Sequence, residues 1–423
     1  MPEGHTSHTP PTAYWALVLP AAAIMMITMG ARQSMGLFMS PINTATGLGV
    51  VSISFAYGVG QLLWGATQPV FGAVADRYGA GRVIVSGGLM LAAGTALIPF
   101  MSSQWGLVFA LGILASAGAG AGSFSILIGG IARHLPADKR SFAAGFVNAG
   151  GSFGQFVFAP MMQALIAALG WINALFSLAA ITLATLPLAW RMRRQEAPAA
   201  TPATAATTPA AATSPTIANP GPTLRQQLRT ALRDRSYLLL NAGFFTCGLH
   251  VAFLMTHLPG EVALCSLPAQ VSANAIALIG LANIVGSLSA GILGQRYRMK
   301  HLLFWFYSAR TCIILAYLAA PKTAFTFYLF GIGIGLTFLA TVPPTAGLVG
   351  KLFGTRYLGT LFGLTLVSHQ IGGFLGAWLG GVAVHTTGNY QWMWYADAAL
   401  AFAAALLNLP IREAAMRPKP VAA

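Results

Sequence analysis

Gly72-Ala-Val-Ala-Asp76-Arg77-Tyr78-Gly79-Ala-Gly-Arg82 closes one long apolar run and opens the next, and Gly291-Ile-Leu-Gly-Gln295-Arg296-Tyr297 does the same 219 residues later. Further positions extend the match between the two stretches. Gly118, Gly120 and Gly122 correspond to Gly331, Gly333 and Gly335 at an offset of 213. Gly129, Arg133, Gly145 and Gly154 correspond to Gly347, Lys351, Gly363 and Gly372 at 218. Three blocks in the same order describe one structural plan laid down twice. Two parallel repeats of a membrane unit place a site at their interface, near the middle of the bilayer.

The composition around these blocks says what kind of unit is repeated. Of 423 residues, 56% are hydrophobic and only 31 are charged, 23 Lys and Arg with 8 Asp and Glu. A soluble domain carries roughly a quarter charged residues, so a soluble fold is excluded, and the same numbers exclude a disordered chain. Apolar runs lie near 14–38, 50–74, 83–101, 106–132, 141–168 and 171–190, and again near 237–258, 271–294, 301–320, 324–349, 357–383 and 391–410. Each approaches or exceeds the roughly 20 residues that cross a bilayer as a helix. The expectation is an all-α membrane protein of twelve transmembrane helices in two pseudo-symmetric six-helix bundles, residues 1–190 and 237–423. Between them, 191–236 reads as a linker; from Ala197 to Thr223 it is almost entirely Ala, Thr and Pro, a flexible tether. Residues Arg225 to Arg235 read as a solvated charge run, with a short helix on the membrane surface as the alternative. The start, Met1 to Pro11, lacks Lys, Arg and a cleavage site, so the first apolar run reads as a retained helix. Cys247, Cys265 and Cys312 have no metal-ligand spacing and form no disulfide framework, and no cofactor is implied.

The charges set the topology. Arg77 and Arg82, Arg133, Lys139 and Arg140, the middle segment, Arg296, Arg298 and Lys300, Lys351 and Arg356, and the C-terminal Arg412, Arg417 and Lys419 all fall on one side. They account for 20 of the 23 cationic residues. Cytoplasmic loops retain Lys and Arg, so both termini are expected in the cytoplasm, in a bacterial inner membrane. The net charge of +15 is then topology, with no nucleic acid as partner.

Gly72-x-x-x-Asp76-Arg77-x-Gly79-x-x-Arg82 resembles the signature between the second and third helices of the major facilitator superfamily, and the resemblance covers the whole chain. It implies that Gly72, Asp76, Arg77, Gly79 and Arg82 form a conformational latch on the cytoplasmic side. The physics agrees: a carboxylate gains at a helix start and an arginine can grip it with two hydrogen bonds. Within the superfamily the chain looks most like the monocarboxylate and oxalate–formate branch. Aligning Gly36-Leu37-Phe38 places Arg32 where that branch has a substrate-side lysine. The branch's Asp-x-x-x-Arg in helix eight reads Asn283-Ile-Val-Gly-Ser287, so the second cation is absent from that position.

Ionisable side chains inside a membrane are rare and mark function by default. Arg32, in span one, is a fixed cation suited to an anionic substrate; the alternative is a guanidinium that snorkels to the interface. Arg310 in span nine and Asp397 in span twelve are expected to form a structural ion pair, with Asp397 a proton-site candidate if they do not meet. His250 in span seven and His369 in span eleven titrate near neutral pH and are proton-coupling candidates, the alternative being neutral core histidines. Gln370 follows His369, and only one of the two is expected to face the cavity. Tyr57, Gln61, Asn148, Gln155 and Asn283 complete an expected substrate cavity. His257 is placed near a gate and His385 in a loop.

These expectations combine into a secondary transporter that moves a small organic anion, in the first instance a monocarboxylate, by alternating access with proton symport, as a monomer in the lipid bilayer. The alternative is an efflux transporter for drugs or amphipathic metabolites. A membrane enzyme would need paired carboxylates, a metal cluster or an activated nucleophile, and none is legible. A channel would need a repeated pore segment or a charged ring.

Overall fold

In a computed structural model of the chain, residues 11–132, 135, 139–195, 223–354 and 357–413 are described, and every regular element among them is helical. Span one runs Pro11–Ser34, tightens through the 3-10 turn Met35–Phe38, and continues as Met39–Thr46. Span two is Val50–Tyr78 and span three Ala80–Leu97. Span four is assembled from Gln104–Leu107, the π-helical Val108–Ala115, Ser116–Ala121 and Phe124–Ala132. The second half contains span seven (Arg235–Leu264), eight (Ala269–Arg296), nine (Met299–Ala319), eleven (Leu358–Thr387) and twelve (Gln391–Asn408). Span ten is split into Ala324–Thr337 and Val342–Phe353.

Spans five and six, expected as separate runs, form one helical path from Arg140–Leu183, extended by Thr185–Gln195. The path turns at Gly170, whose φ of 78° and ψ of 160° suit a residue without a Cβ. A single glycine thus replaces a loop. Gly79, at φ 93°, does the same between spans two and three. By length and apolarity ten helices can cross a membrane, one of them the 51-residue stretch Phe142–Met192 that holds the Gly170 turn. Counting that stretch as two and adding Gln391–Asn408 accounts for the twelve expected spans among the described residues. Of the expected linker, 196–222 lies outside the described residues.

The repeat seen in the sequence is a repeat in packing. In the first half, span one packs against span five, where a Cβ on Gly150 or Gly154 would run into the backbone carbonyl of Ala22 or Met26. In the second half, span seven packs against span eleven, with Gly372 and Gly376 against the carbonyls of Phe245 and Leu249. Small residues let helix backbones approach in this way where no water-driven force holds them.

Two seams join the halves. Along spans two and eleven, Ser54 meets Gly381, Gly58 meets Phe374, Gln61 meets Gly373 and Gly65 meets Gln370. Along spans five and eight, Gln155 Nε2 donates to the Ile276 carbonyl at 3.0 Å, and Asn283 Nδ2 donates to Ser152 Oγ at 2.9 Å. Span one adds Gly36 against the Met255 carbonyl of span seven. All these contacts lie from mid-span toward the end remote from the basic loops. Toward the basic loops, a Cβ on Gly72, Gly145, Gly291, Gly359 or Gly363 would meet nothing within 4 Å. The described seam contacts therefore gather at one end, which is closed, and thin out toward the end that carries the arginines.

The break in span ten leaves helix carbonyls without partners. Arg310 Nη2 supplies them, donating to Thr337 O at 2.6 Å and Phe338 O at 3.1 Å. Asn283 Oδ1 accepts the Leu339 N–H at 3.0 Å on the other side of the break. At the corresponding place in span four, Thr28 Oγ1 donates to Gly122 O at 3.2 Å.

Candidate functional site

Gln61 and Trp64 lie three residues apart on one face of span two, and that face meets span one at Arg32. The guanidinium donates to Gln61 Oε1 and stands 4.2 Å from the centroid of the Trp64 ring. An aromatic face and an amide oxygen stabilise a cation without neutralising it. The ion pairs of the described residues do not include Arg32. Across the seam, Gln370 is 3% exposed and packs on Gly65, next in chain to Trp64. Gln370 Oε1 and Trp64 Nε1 are both buried without a hydrogen-bond partner. Buried polar atoms are ordinarily paired, so this part of the seam has unmet hydrogen-bonding capacity beside a fixed cation.

A second polar cluster is enclosed in the other half. His250 Nδ1 lies 2.5 Å from Asp397 Oδ2, and both side chains are fully buried. His250 Nε2 and Asp397 Oδ1 have no partner. The expected Arg310–Asp397 ion pair is not formed. Arg310 is turned to the broken end of span ten, where its cation meets the negative end of a helix dipole, and Asp397 is taken by span seven. His250 consequently faces span twelve. His369 is half-buried, its ring tilted against Phe244 of span seven at 4.8 Å between ring centroids. Cys247 lies within electrostatic reach of both Arg310 and His369, and its Sγ is 3.3 Å from Thr341 Oγ1.

The remaining expected residues divide between structure and site. Tyr57 donates to the Met35 carbonyl at 2.6 Å and holds the 3-10 turn of span one, which leaves its oxygen only as an acceptor. Gln155 and Asn283 bridge the halves, as described above. Asn148 is half-buried on span five. Of the latch, Gly72 faces open space and Gly79 makes the turn. Arg77 is exposed 5.3 Å from the Tyr78 ring, and Arg82 is exposed. The side chain of Asp76 lies outside the described residues.

Three groups were not anticipated. Trp64 is one; its place three residues after Gln61 was the available signal. Glu261 is another, a second buried acid that accepts from Tyr317 Oη at 2.6 Å. The third is Glu413, which accepts from the Met299 and Lys300 N–H groups at 3.1 and 3.0 Å and from Lys351 Nζ at 2.7 Å. Burial alone would raise the Glu413 carboxyl. The Lys300 N–H, the Lys351 ammonium and the Met299 N–H outweigh it and hold the group below the ordinary carboxylate value.

The chain's likeness to known proteins agrees with this architecture. A family model described as the Major Facilitator Superfamily matches residues 21–377 and, in a second match, 269–422. Monocarboxylate transporter 13 of Rattus norvegicus is 26% identical over 401 residues, covering 94% of this chain and 89% of the relative. The oxalate:formate antiporter of Oxalobacter formigenes is 28% identical over 152 residues, 36% of each chain. Among solved structures, a D-xylose-proton symporter superposes with a TM-score of 0.66 at 13% identity, covering 94% of this chain and 98% of the other. An integral membrane protein with two six-helix halves and this match over most of its length is a transporter, and the chain belongs to the major facilitator superfamily.

Proposed function

We propose that the protein carries a small organic anion, a monocarboxylate in the first instance, by alternating access with a co-transported proton. The observation that carries this reading is Arg32: a permanent cation on the seam, cradled by Gln61 and Trp64, with no ion-pair partner among the described residues. A carboxylate fits the guanidinium fork, and the indole N–H and Gln370 Oε1 offer further partners to its substituents. A drug exporter selecting cations would be opposed by that fixed charge. The names of the relatives support the substrate class. Two halves, 1–190 and 237–423 joined through 191–236, rock about the seam.

The His250–Asp397 pair is the proton carrier in this reading. The two groups touch at 2.5 Å in a fully buried place, and each keeps one polar atom without a partner. An anion entering against an inside-negative potential gains from a proton that cancels its charge. The basic loops face the cytoplasm of a bacterial cell, both termini inside, so the closed end described above faces away from the cytoplasm. A single chain suffices.

The test is uptake of labelled lactate, pyruvate, formate and oxalate by proteoliposomes, with and without an inward proton gradient. Arg32→Gln should abolish gradient-driven accumulation of the acid that wild type accumulates, and Arg32→Lys should keep part of it. Uptake of no acid, or uptake indifferent to Arg32→Gln, would overturn the proposal and turn attention to amphipathic substrates.

A further inference from the structure

The short helix Leu224–Ala231, just before span seven, is set by a capping box. Thr223 Oγ1 accepts the Gln226 N–H at 3.3 Å, and Gln226 Oε1 accepts the Thr223 N–H at 2.9 Å. One face is docked on the basic end of the second half. Gln227 Nε2 donates to the Phe353 carbonyl at 3.2 Å, Leu228 packs on the core, and Ala231 is fully buried. Away from this face, Arg225 and Arg229 stand four residues apart on one side of the helix, Arg233 in the turn that follows continues the basic stripe, and all three are exposed.

With Thr223, Gln226 and Leu232 they line an open groove of about 930 Å³ that has no acidic side chain among its described walls. The acid next in chain, Asp234, is engaged elsewhere: Oδ1 accepts the Tyr237 N–H at 3.1 Å, and Oδ2 pairs with Arg412. Two large apolar side chains flank the stripe, Leu224 at 40% and Leu232 at 56% exposure. Arginines beside exposed leucines, at the point where the chain enters the membrane, match a ligand that is anionic at one end and apolar at the other. A water-soluble anion would use the arginines and leave the leucines bare.

We propose that this groove binds the phosphodiester headgroup of an anionic phospholipid, with the leucines against the first carbons of its acyl chains. The site is separate from the seam and stands whether or not the transported substrate is a carboxylate. Each such cation at an anionic lipid surface strengthens binding about fivefold, so three act together on the order of a hundredfold.

The experiment is a titration of the purified full-length protein in detergent with dioleoylphosphatidylglycerol and with dioleoylphosphatidylcholine, bound lipid being counted by native mass spectrometry. Wild type is set beside the triple variants R225Q/R229Q/R233Q and R225K/R229K/R233K. The phosphatidylglycerol affinity should exceed that for phosphatidylcholine, fall at least tenfold in the Gln triple, and stay within about threefold of wild type in the Lys triple. Unchanged affinity in the Gln triple would overturn the proposal, and so would loss in the Lys triple. Displacement of the bound lipid by inorganic phosphate or a soluble acidic peptide at equal concentration would assign the groove to a water-soluble anion instead.

Discussion

Replacing Gly36 by Ala tests the closed end of the seam directly. Gly36 sits in the 3-10 turn of span one against span seven, and the added methyl would overlap the Met255 carbonyl oxygen and approach the Thr256 carbonyl at 3.3 Å. Both obstacles are backbone atoms inside a helix, so neither can swing aside. Overpacking of this kind costs about 1–3 kcal/mol. Because spans one and seven belong to opposite halves, the penalty exists only while this end is closed, and the molecule relieves it by opening there. At about 2 kcal/mol the equilibrium moves about 30-fold toward the state open at that end. Ser54, fully buried in the seam between spans two and eleven, reports the change. With Cys265 and Cys312 replaced by Ser and Ser54→Cys introduced, labelling by a membrane-impermeant maleimide should rise by about that factor; Cys247, fully buried inside the second half, stays silent. Gly154→Ala is the control. Its methyl strikes the Met26 carbonyl within the first half, so it should lower the melting temperature without changing labelling. A folded Gly36→Ala protein with unchanged labelling would refute the reasoning, as would an equal rise in Gly154→Ala.

Further predictions concern single side chains. His250→Gln and Asp397→Asn should each abolish proton-driven accumulation in proteoliposomes while leaving substrate exchange, and the double variant should be no worse than either single, because residues of one pair do not add. Glu413→Gln should remove a pH dependence of the melting temperature. With its folded pKa depressed, the carboxylate contributes stability that is present above its unfolded value and lost as pH falls through the folded one; wild type should therefore lose stability relative to the variant below about pH 4.5, and a parallel pair of curves would contradict the clasp. Tyr57→Phe leaves the buried Met35 carbonyl without its donor and should cost about 1–3 kcal/mol, read as a fall in the apparent melting temperature.

The fold was legible because a bilayer imposes its own length scale on the chain. Apolar runs, their bounding charges and the glycine repeat carry it without any knowledge of side-chain contacts. Gly79 and Gly72 announced where spans two and three are joined. The pairing of the ionisable groups was not legible in the same way. A span that is apolar nearly all round carries little periodic signal, so its rotation about its own axis, and hence the partner of Asp397, cannot be read from it. Arg310 was misassigned for a related reason. The break in span ten lies in Phe338-Leu-Ala-Thr341, which reads as continuous helix, although Pro343 and Pro344 just after it are the residues of a helix start. Arg32 was legible from the resemblance and from its charge, and Gln61 from its chemistry, since a cation and an amide are conspicuous among so few polar residues.

That break also settles a mismatch in helical phase. The repeat offset is 213 through Gly335 and 218 from Gly347, so the second copy has gained five residues between these points. In an unbroken helix five residues add about 140° of net rotation and about 7.5 Å of length, which would turn everything beyond the insertion to a different side. Thr337 ends one helix and Val342 begins another, and the four residues between them take up the extra chain without imposing that turn. The Gly331–Gly335 ridge and the stretch around Gly347 can then each keep the bearing of its counterpart in span four.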